Sequence, residues 1–242
     1  MKILLIRHGE PNYEIDGLTE KGEREAKLLA KRLEKENISA IYCSPLGRAR
    51  LTAAPTEMLL GISAEIKPWL REFDKHAVRH PYMDEDSCCW DVLPEYINTL
   101  ENIYHKDLWL TEDFIKNSDI PEDYRNVCRE LDELIKKHGY ERCGHNYKAI
   151  KPNHDTIAIV CHFGLTGVLL SHLMNCSPYS IWQHVCTAPT AVTTLYTEER
   201  MEGEALFRAA SIGDVSHLYA GDEPPSFAAR FCECYTDNTR HH

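Results

Sequence analysis

The chain opens on Ile3-Leu4-Leu5-Ile6, a continuous apolar run flanked by Lys2 and by Arg7-His8. Such a run marks a strand covered on both faces. From Leu18 to Lys35 the period becomes helical: Ala26, Leu29, Ala30 and Leu33 share one face, while Glu and Lys fill the other. Ala40 to Cys43 predicts a second strand. Ser44-Pro45 then reads as a helix cap with proline at the first helical position, and Gly61 closes that helix. Ala64 to Lys67 predicts a third short strand. Thr156 to Cys161 is the strongest buried strand, Gly164 to Met174 the helix after it, and Thr193 to Tyr196 and Ala205 to Ala210 are two late strands. This alternation predicts an α/β fold, a three-layer αβα sandwich around a mostly parallel central sheet.

Residues 73–151 break the alternation. They are aromatic and acidic, and they carry one firm helix from Glu122 to His138, with Val127, Leu131, Leu134 and Ile135 inward and Gly139 as its stop. Tyr140 to Tyr147, centred on Gly144-His145-Asn146, reads as a hairpin. We read the stretch as an insertion that caps the carboxyl end of the strands within a single domain, residues 1–242. Ligand selectivity is expected there, with Tyr82, Trp90 and Tyr104 as candidate walls.

Composition narrows the function classes. A chain of 242 residues with 43% hydrophobic positions can bury a sizeable core. No apolar run approaches the roughly 20 residues of a membrane helix, so no membrane partner is expected. The formal charge of −11 disfavours a nucleic-acid partner, which needs a basic face. It also means that an anion site must gather its cations locally. Ten cysteines occur without a CxxC pair. Cys88-Cys89, Cys143 with His145, and Cys232 and Cys234 with His241-His242 are incidental rather than metal ligands, and the reading is a cytoplasmic protein with reduced thiols.

The chemistry sits at strand ends. Arg7-His8-Gly9-Glu10 follows the first strand, Ser44-Pro45-Leu46-Gly47-Arg48-Ala49 the second, and His162 the strongest one. Ligands bind at the carboxyl ends of parallel strands. A lone histidine after a strand is more often structural, and a lone arginine usually belongs to the surface. Four such residues at three strand ends point instead to a phosphate site, because guanidinium forks match phosphate oxygens and an imidazole can attack phosphorus.

These blocks, with Leu18-Thr19-Glu20-Lys21-Gly22, Thr52-Ala53, Val160-Cys161-His162-Phe163-Gly164 and Ile212 to Leu218, resemble the histidine phosphatase superfamily, also called phosphoglycerate-mutase-like. The resemblance runs in the family's order from residue 3 to about 218. It implies that His8 is the nucleophile, that Arg7, Arg48 and His162 hold the phosphoryl oxygens, and that a carboxylate after the third strand is the proton donor. Glu72 stands at that point, with Asp74, Asp84 and Glu85 as competitors. Asn12 and Tyr13 are candidate substrate contacts, and Asp214 and His217 candidate supports. Two departures, Pro11-Asn12-Tyr13-Glu14 in place of the mutase continuation and Phe163 in place of a glycine, point away from a mutase. The implied activity is a phosphomonoesterase acting on a small-molecule phosphate ester, with neither metal nor cofactor. A phosphomutase is the alternative, as is a weakly catalytic phospho-ligand module.

Overall fold

The computed structural model describes residues 1–74, 77–79, 86–227 and 233–237. Eight strands form its central sheet: β1 (Lys2–Arg7), β2 (Ile38–Cys43), β3 (Glu65–Ile66), β4 (Tyr140–Cys143), β5 (Asn146–Ala149), β6 (Thr156–Cys161), β7 (Val192–Met201) and β8 (Glu204–Asp214). Their order across the sheet is β3-β2-β6-β1-β7-β8-β5-β4. The first four pair in parallel, and antiparallel pairing extends the sheet from β7 onward.

Alternate side chains of the central strands feed two cores, which is why β1 and β6 read as unbroken apolar runs. Leu4 and Ile6 of β1 and Ala158 and Val160 of β6 meet Leu29 and Leu33 of α1 (Glu20–Leu33) and Ala49 and Ala53 of α2 (Gly47–Leu60). Ile3, Leu5, Ile157 and Ile159 face the opposite way. They join a core with Leu131 and Ile135 of α3 (Ile120–Lys137) and Val168 and Leu169 of α4 (Phe163–Met174). The result is the expected three-layer sandwich. A last short helix, α5 (Ser216–Ala220), lies against α1.

Two local expectations are corrected. Ser44-Pro45 does not cap α2: the cap residue is Leu46, without a side-chain hydrogen bond, and the helix begins at Gly47. The stretch 73–151 is only partly a cap. Its hairpin β4–β5 joins the sheet edge through β5 and β8, and α3 lies in the helical layer beside α4. Only its first part, with short elements around Trp90 and Trp109, packs near the start of α4: Trp109 is fully buried against Tyr179 and Trp182, which follow that helix. Tyr82 lies outside the described residues. Tyr104 is exposed beside His184, and Trp90 packs edge-on to Phe163. Among the described residues no helix is long and apolar enough to cross a membrane.

Candidate active site

Parallel pairing of β2, β6 and β1 brings three strand ends to one edge. The His8 amide donates to the Cys161 carbonyl at 3.0 Å, and the Ser44 amide to the Val160 carbonyl at 3.0 Å. His8 and His162 are therefore neighbours, with ring centroids 5.1 Å apart and planes at 58°. Arg7, His8, Arg48, Glu72 and His162 are all buried, none exposed by more than 8%. Charges at this density need partners or ligands.

His8 has an assigned tautomer. Its Nδ1 lies 2.7 Å from the Gly9 carbonyl oxygen, which can only accept, so Nδ1 carries the proton and Nε2 keeps its lone pair. Burial, with Arg7 next and Arg48 behind it, pushes the imidazole pKa down to about 3. His8 is thus a neutral imidazole at any physiological pH. The loop after it is held by Thr52, whose hydroxyl oxygen accepts from the Gly9 amide at 2.9 Å and whose proton goes to the Arg48 carbonyl at 2.7 Å.

Arg7 is fixed at both ends by the segment 187–191: its amide donates to the Ala191 carbonyl at 3.2 Å and its Nη1 to the Thr187 carbonyl at 2.5 Å. Its guanidinium also lies 5.6 Å from the centre of the Phe163 ring. The phenylalanine that departs from the family pattern is thus a cation–π support for Arg7. Gly164 must follow it, because a Cβ there would collide with the Trp90 indole.

Ser44 takes a part that the sequence reading missed. Its Oγ is 2.7 Å from His162 Nε2, while His162 Nδ1 is buried without a protein partner. Burial first, then the neighbouring His8 imidazole and the Arg48 and Arg7 guanidiniums, hold His162 well below the ordinary histidine range. Asp16 was missed as well. It caps α2 in place of Ser44, with Oδ2 accepting from the Gly47 amide at 2.6 Å and Oδ1 from Arg48 Nη1 at 2.6 Å. Burial alone would raise its carboxylate, but the Gly47 N–H and the Arg48 guanidinium hold it below its ordinary pKa. The signal was the Asp16-Gly17 pair: Asp16 has φ +47°, a backbone region that aspartate tolerates in turns.

Glu72 lies under the start of α4. One carboxylate oxygen accepts from the Phe73 amide at 2.8 Å and the Leu165 amide at 2.9 Å. Burial raises its pKa, against the pull of those amides, of Gly164 and of Arg7. Of its competitors Asp74 is exposed, and Asp84 and Glu85 lie outside the described residues. A cavity of about 400 Å³ opens beside Glu72, lined also by Arg71, Phe73, Asp123, Asn126 and Glu130. Tyr13 is largely exposed with its ring 5.3 Å from the Arg48 guanidinium. Asn12 is turned to its own loop, where Oδ1 accepts from the Glu14 amide at 3.1 Å. Asp214 pairs with Arg32 at 2.8 Å, and His217 is buried against Thr190. Among the described residues, no three His, Cys, Asp or Glu side chains come together as metal ligands.

The loop after His8 also rests on Glu25, fully buried although it stands among the polar positions of α1. Its Oε2 accepts from the Glu10 amide at 2.8 Å, and burial lifts its pKa to about 7. Between pH 4.5 and 7 the folded chain keeps a proton there that the unfolded chain has released. Stability therefore falls as pH rises through this window. Glu25→Gln should raise stability at pH 8 by as much as about 3 kcal/mol, several degrees in Tm, with the gain closing toward pH 5. Thermal unfolding at the two pH values checks this, and an equal gain at both would contradict it.

Residues 3–87 match the family model of the histidine phosphatase superfamily, branch 1. A probable phosphatase of Schizosaccharomyces pombe is 25% identical over 232 residues, covering 90% of this chain and 95% of that protein. A probable phosphoglycerate mutase GpmB of Photorhabdus laumondii is 38% identical over 81 residues. That match takes in 30% of this chain and 38% of the relative, so the chain spans well under half of that relative's length. Among solved structures, a phosphoserine phosphatase of Entamoeba histolytica aligns with a TM-score of 0.58 at 19% identity, covering 90% of this chain and 98% of that one, a likeness of fold. Residues 3–87, with Arg7-His8-Gly9-Glu10 near their start, thus match the histidine phosphatase superfamily, and the chain as a whole shares the fold of the phosphoserine phosphatase.

Proposed function

We propose that the protein is a phosphomonoesterase that works through phosphohistidine at His8, without a metal, on a small phosphorylated metabolite. The observation that carries this is the tautomer of His8: Nδ1–H is bound to the Gly9 carbonyl, which leaves Nε2 as a free nucleophile between two buried guanidiniums and beside His162.

The phosphoryl oxygens are held by Arg7, Arg48 and His162. With the Ser44 hydroxyl donating to His162 Nε2, Nδ1 bears the proton and supplies the third donor. Such fixed donors, aimed where charge spreads in the transition state, are the main protein contribution to phosphoryl transfer. His8 Nε2 forms the N–P bond as the ester P–O bond breaks, and the leaving oxygen takes the proton of Glu72. Water then attacks phosphorus, returns a proton to Glu72, and releases inorganic phosphate with His8 restored. A pure binding module needs neither a nucleophile nor a proton donor, and the buried positions of His8 and Glu72 support both roles.

The mutase is the alternative, since five relatives, each matched over about a third of this chain, are named probable phosphoglycerate mutases. The relative matched over nearly its whole length is named a probable phosphatase. A mutase must also keep water from its phosphohistidine, whereas Tyr13 and Glu14 are exposed on the first loop. Incubation with 3-phosphoglycerate and a trace of 2,3-bisphosphoglycerate, in EDTA, separates the two. Free phosphate should exceed 2-phosphoglycerate, and chelation should leave the rate unchanged. Isomerisation with little phosphate release would overturn the assignment, and a rate restored only by added metal would refute the metal-free mechanism.

A further inference from the structure

The wall behind His8 and Arg7 is the segment 187–191, and its backbone is strained. Thr190 has φ +57°, in the left-handed region where a β-branched residue is a true outlier. Conformations of this kind persist only where the surroundings impose them. The strain has a use here: it turns the Thr190 amide onto the His8 carbonyl at 3.1 Å. The same segment supplies the Thr187 and Ala191 carbonyls that hold Arg7. One loop conformation thus sets the position of two residues of the phosphate site.

The Thr190 hydroxyl donates its only proton to the Pro189 carbonyl at 2.7 Å. His217 Nε2, 3.1 Å from Thr190 Oγ1, must therefore be the donor in that contact. His217 Nδ1 then carries a lone pair, and it faces Arg32 Nη1 at 3.5 Å. Arg32 in turn is bound by Asp214, through its carboxylate at 2.8 Å and its carbonyl at 3.2 Å. Asp214 closes the set by accepting from the Ser216 amide at 2.8 Å, which fixes the start of α5, the helix that carries His217. Each link thus pairs a donor with an acceptor, with His217 neutral and buried at the centre. The Arg32 charge keeps it so: burial and that guanidinium lower its pKa to about 4.

We infer that His217 is a positioning residue of the active site, whose Nε2–H locks Thr190 in its strained conformation and thereby sets His8 and Arg7 for phosphoryl transfer. The inference rests on the catalytic reading of His8. Loss of one hydrogen bond that holds strained backbone is expected to matter by about tenfold.

The test uses p-nitrophenyl phosphate turnover and, separately, inorganic phosphate binding, both corrected for the folded fraction. His217→Ala should lower kcat about tenfold and weaken phosphate binding severalfold. His217→Gln, whose amide can still donate to Thr190 Oγ1, should recover most of both. Thr190→Gly adopts positive φ without strain, so His217→Ala added to it should cost nothing further. Wild-type kcat and phosphate affinity in His217→Ala, or the same tenfold loss on the Thr190→Gly background, would overturn the inference. Should the wild type hydrolyse no phosphate ester, the functional reading fails, while phosphate binding in the wild type and the same four variants still decides the role of His217.

Discussion

Replacing His8 by alanine is expected to lower phosphatase turnover by on the order of 10⁵-fold or more, the scale on which covalent catalysis is lost with its nucleophile. The fold should tolerate the change. His8 makes one side-chain hydrogen bond, to its neighbour's carbonyl, and its ring carries no charge whose loss would strand a partner. Arg7, Arg48 and His162 would remain, so inorganic phosphate should still bind. Loss of turnover with retained phosphate binding is therefore the expected pair, measured by steady-state kinetics and by titration. A His8→Ala protein that keeps more than a few per cent of the wild-type rate would assign the attack to water or to another side chain.

Glu72→Gln should cost about 10²–10⁴-fold with an alkyl phosphate, the usual range for general acid–base catalysis. Glutamine preserves the oxygen that accepts from Phe73 and Leu165 but holds no proton to give. With p-nitrophenyl phosphate the leaving group needs no proton, so the first step should be nearly spared. The second still needs a base, and phosphorylated enzyme should accumulate after a burst of nitrophenol. The pH profile adds a sign. Burial raises the Glu72 pKa, so the wild-type rate with an alkyl ester should fall as pH rises through that value, and the variant should lack this limb. Equal losses for both esters without a burst would leave Glu72 as the carboxylate that caps α4.

What could be read from the chain and what could not divides along physical lines. β1 and β6 were legible because they are buried on both faces, which demands an unbroken apolar run. The meeting of Arg7, His8, Arg48 and His162 was legible because the ends of adjacent parallel strands converge by topology alone. Ser44 was misread because Ser-Pro before a helix has a local meaning, and its partner His162 lies 118 positions away. Glu25 was hidden for a similar reason: a carboxylate on an amphipathic helix looks solvated until another segment, here the Glu10 amide, crosses over it. The hairpin β4–β5 was visible from its turn, where Gly144 has φ +61°. Its pairing with β8, nearly 60 residues on, was not. Thr190 carried no signal, because nothing in a threonine between Pro189 and Ala191 announces a left-handed backbone.

Covalent transfer to His8 can be seen by quenching the enzyme during turnover and locating the phosphate by mass spectrometry. Glu72→Gln, with its slowed second step, is the best protein for the experiment. One acid-labile, alkali-stable phosphate is expected on the peptide that contains His8, and none in the His8→Ala background. Phosphate on a different residue, or its absence from every peptide while a burst of product is released, would contradict it.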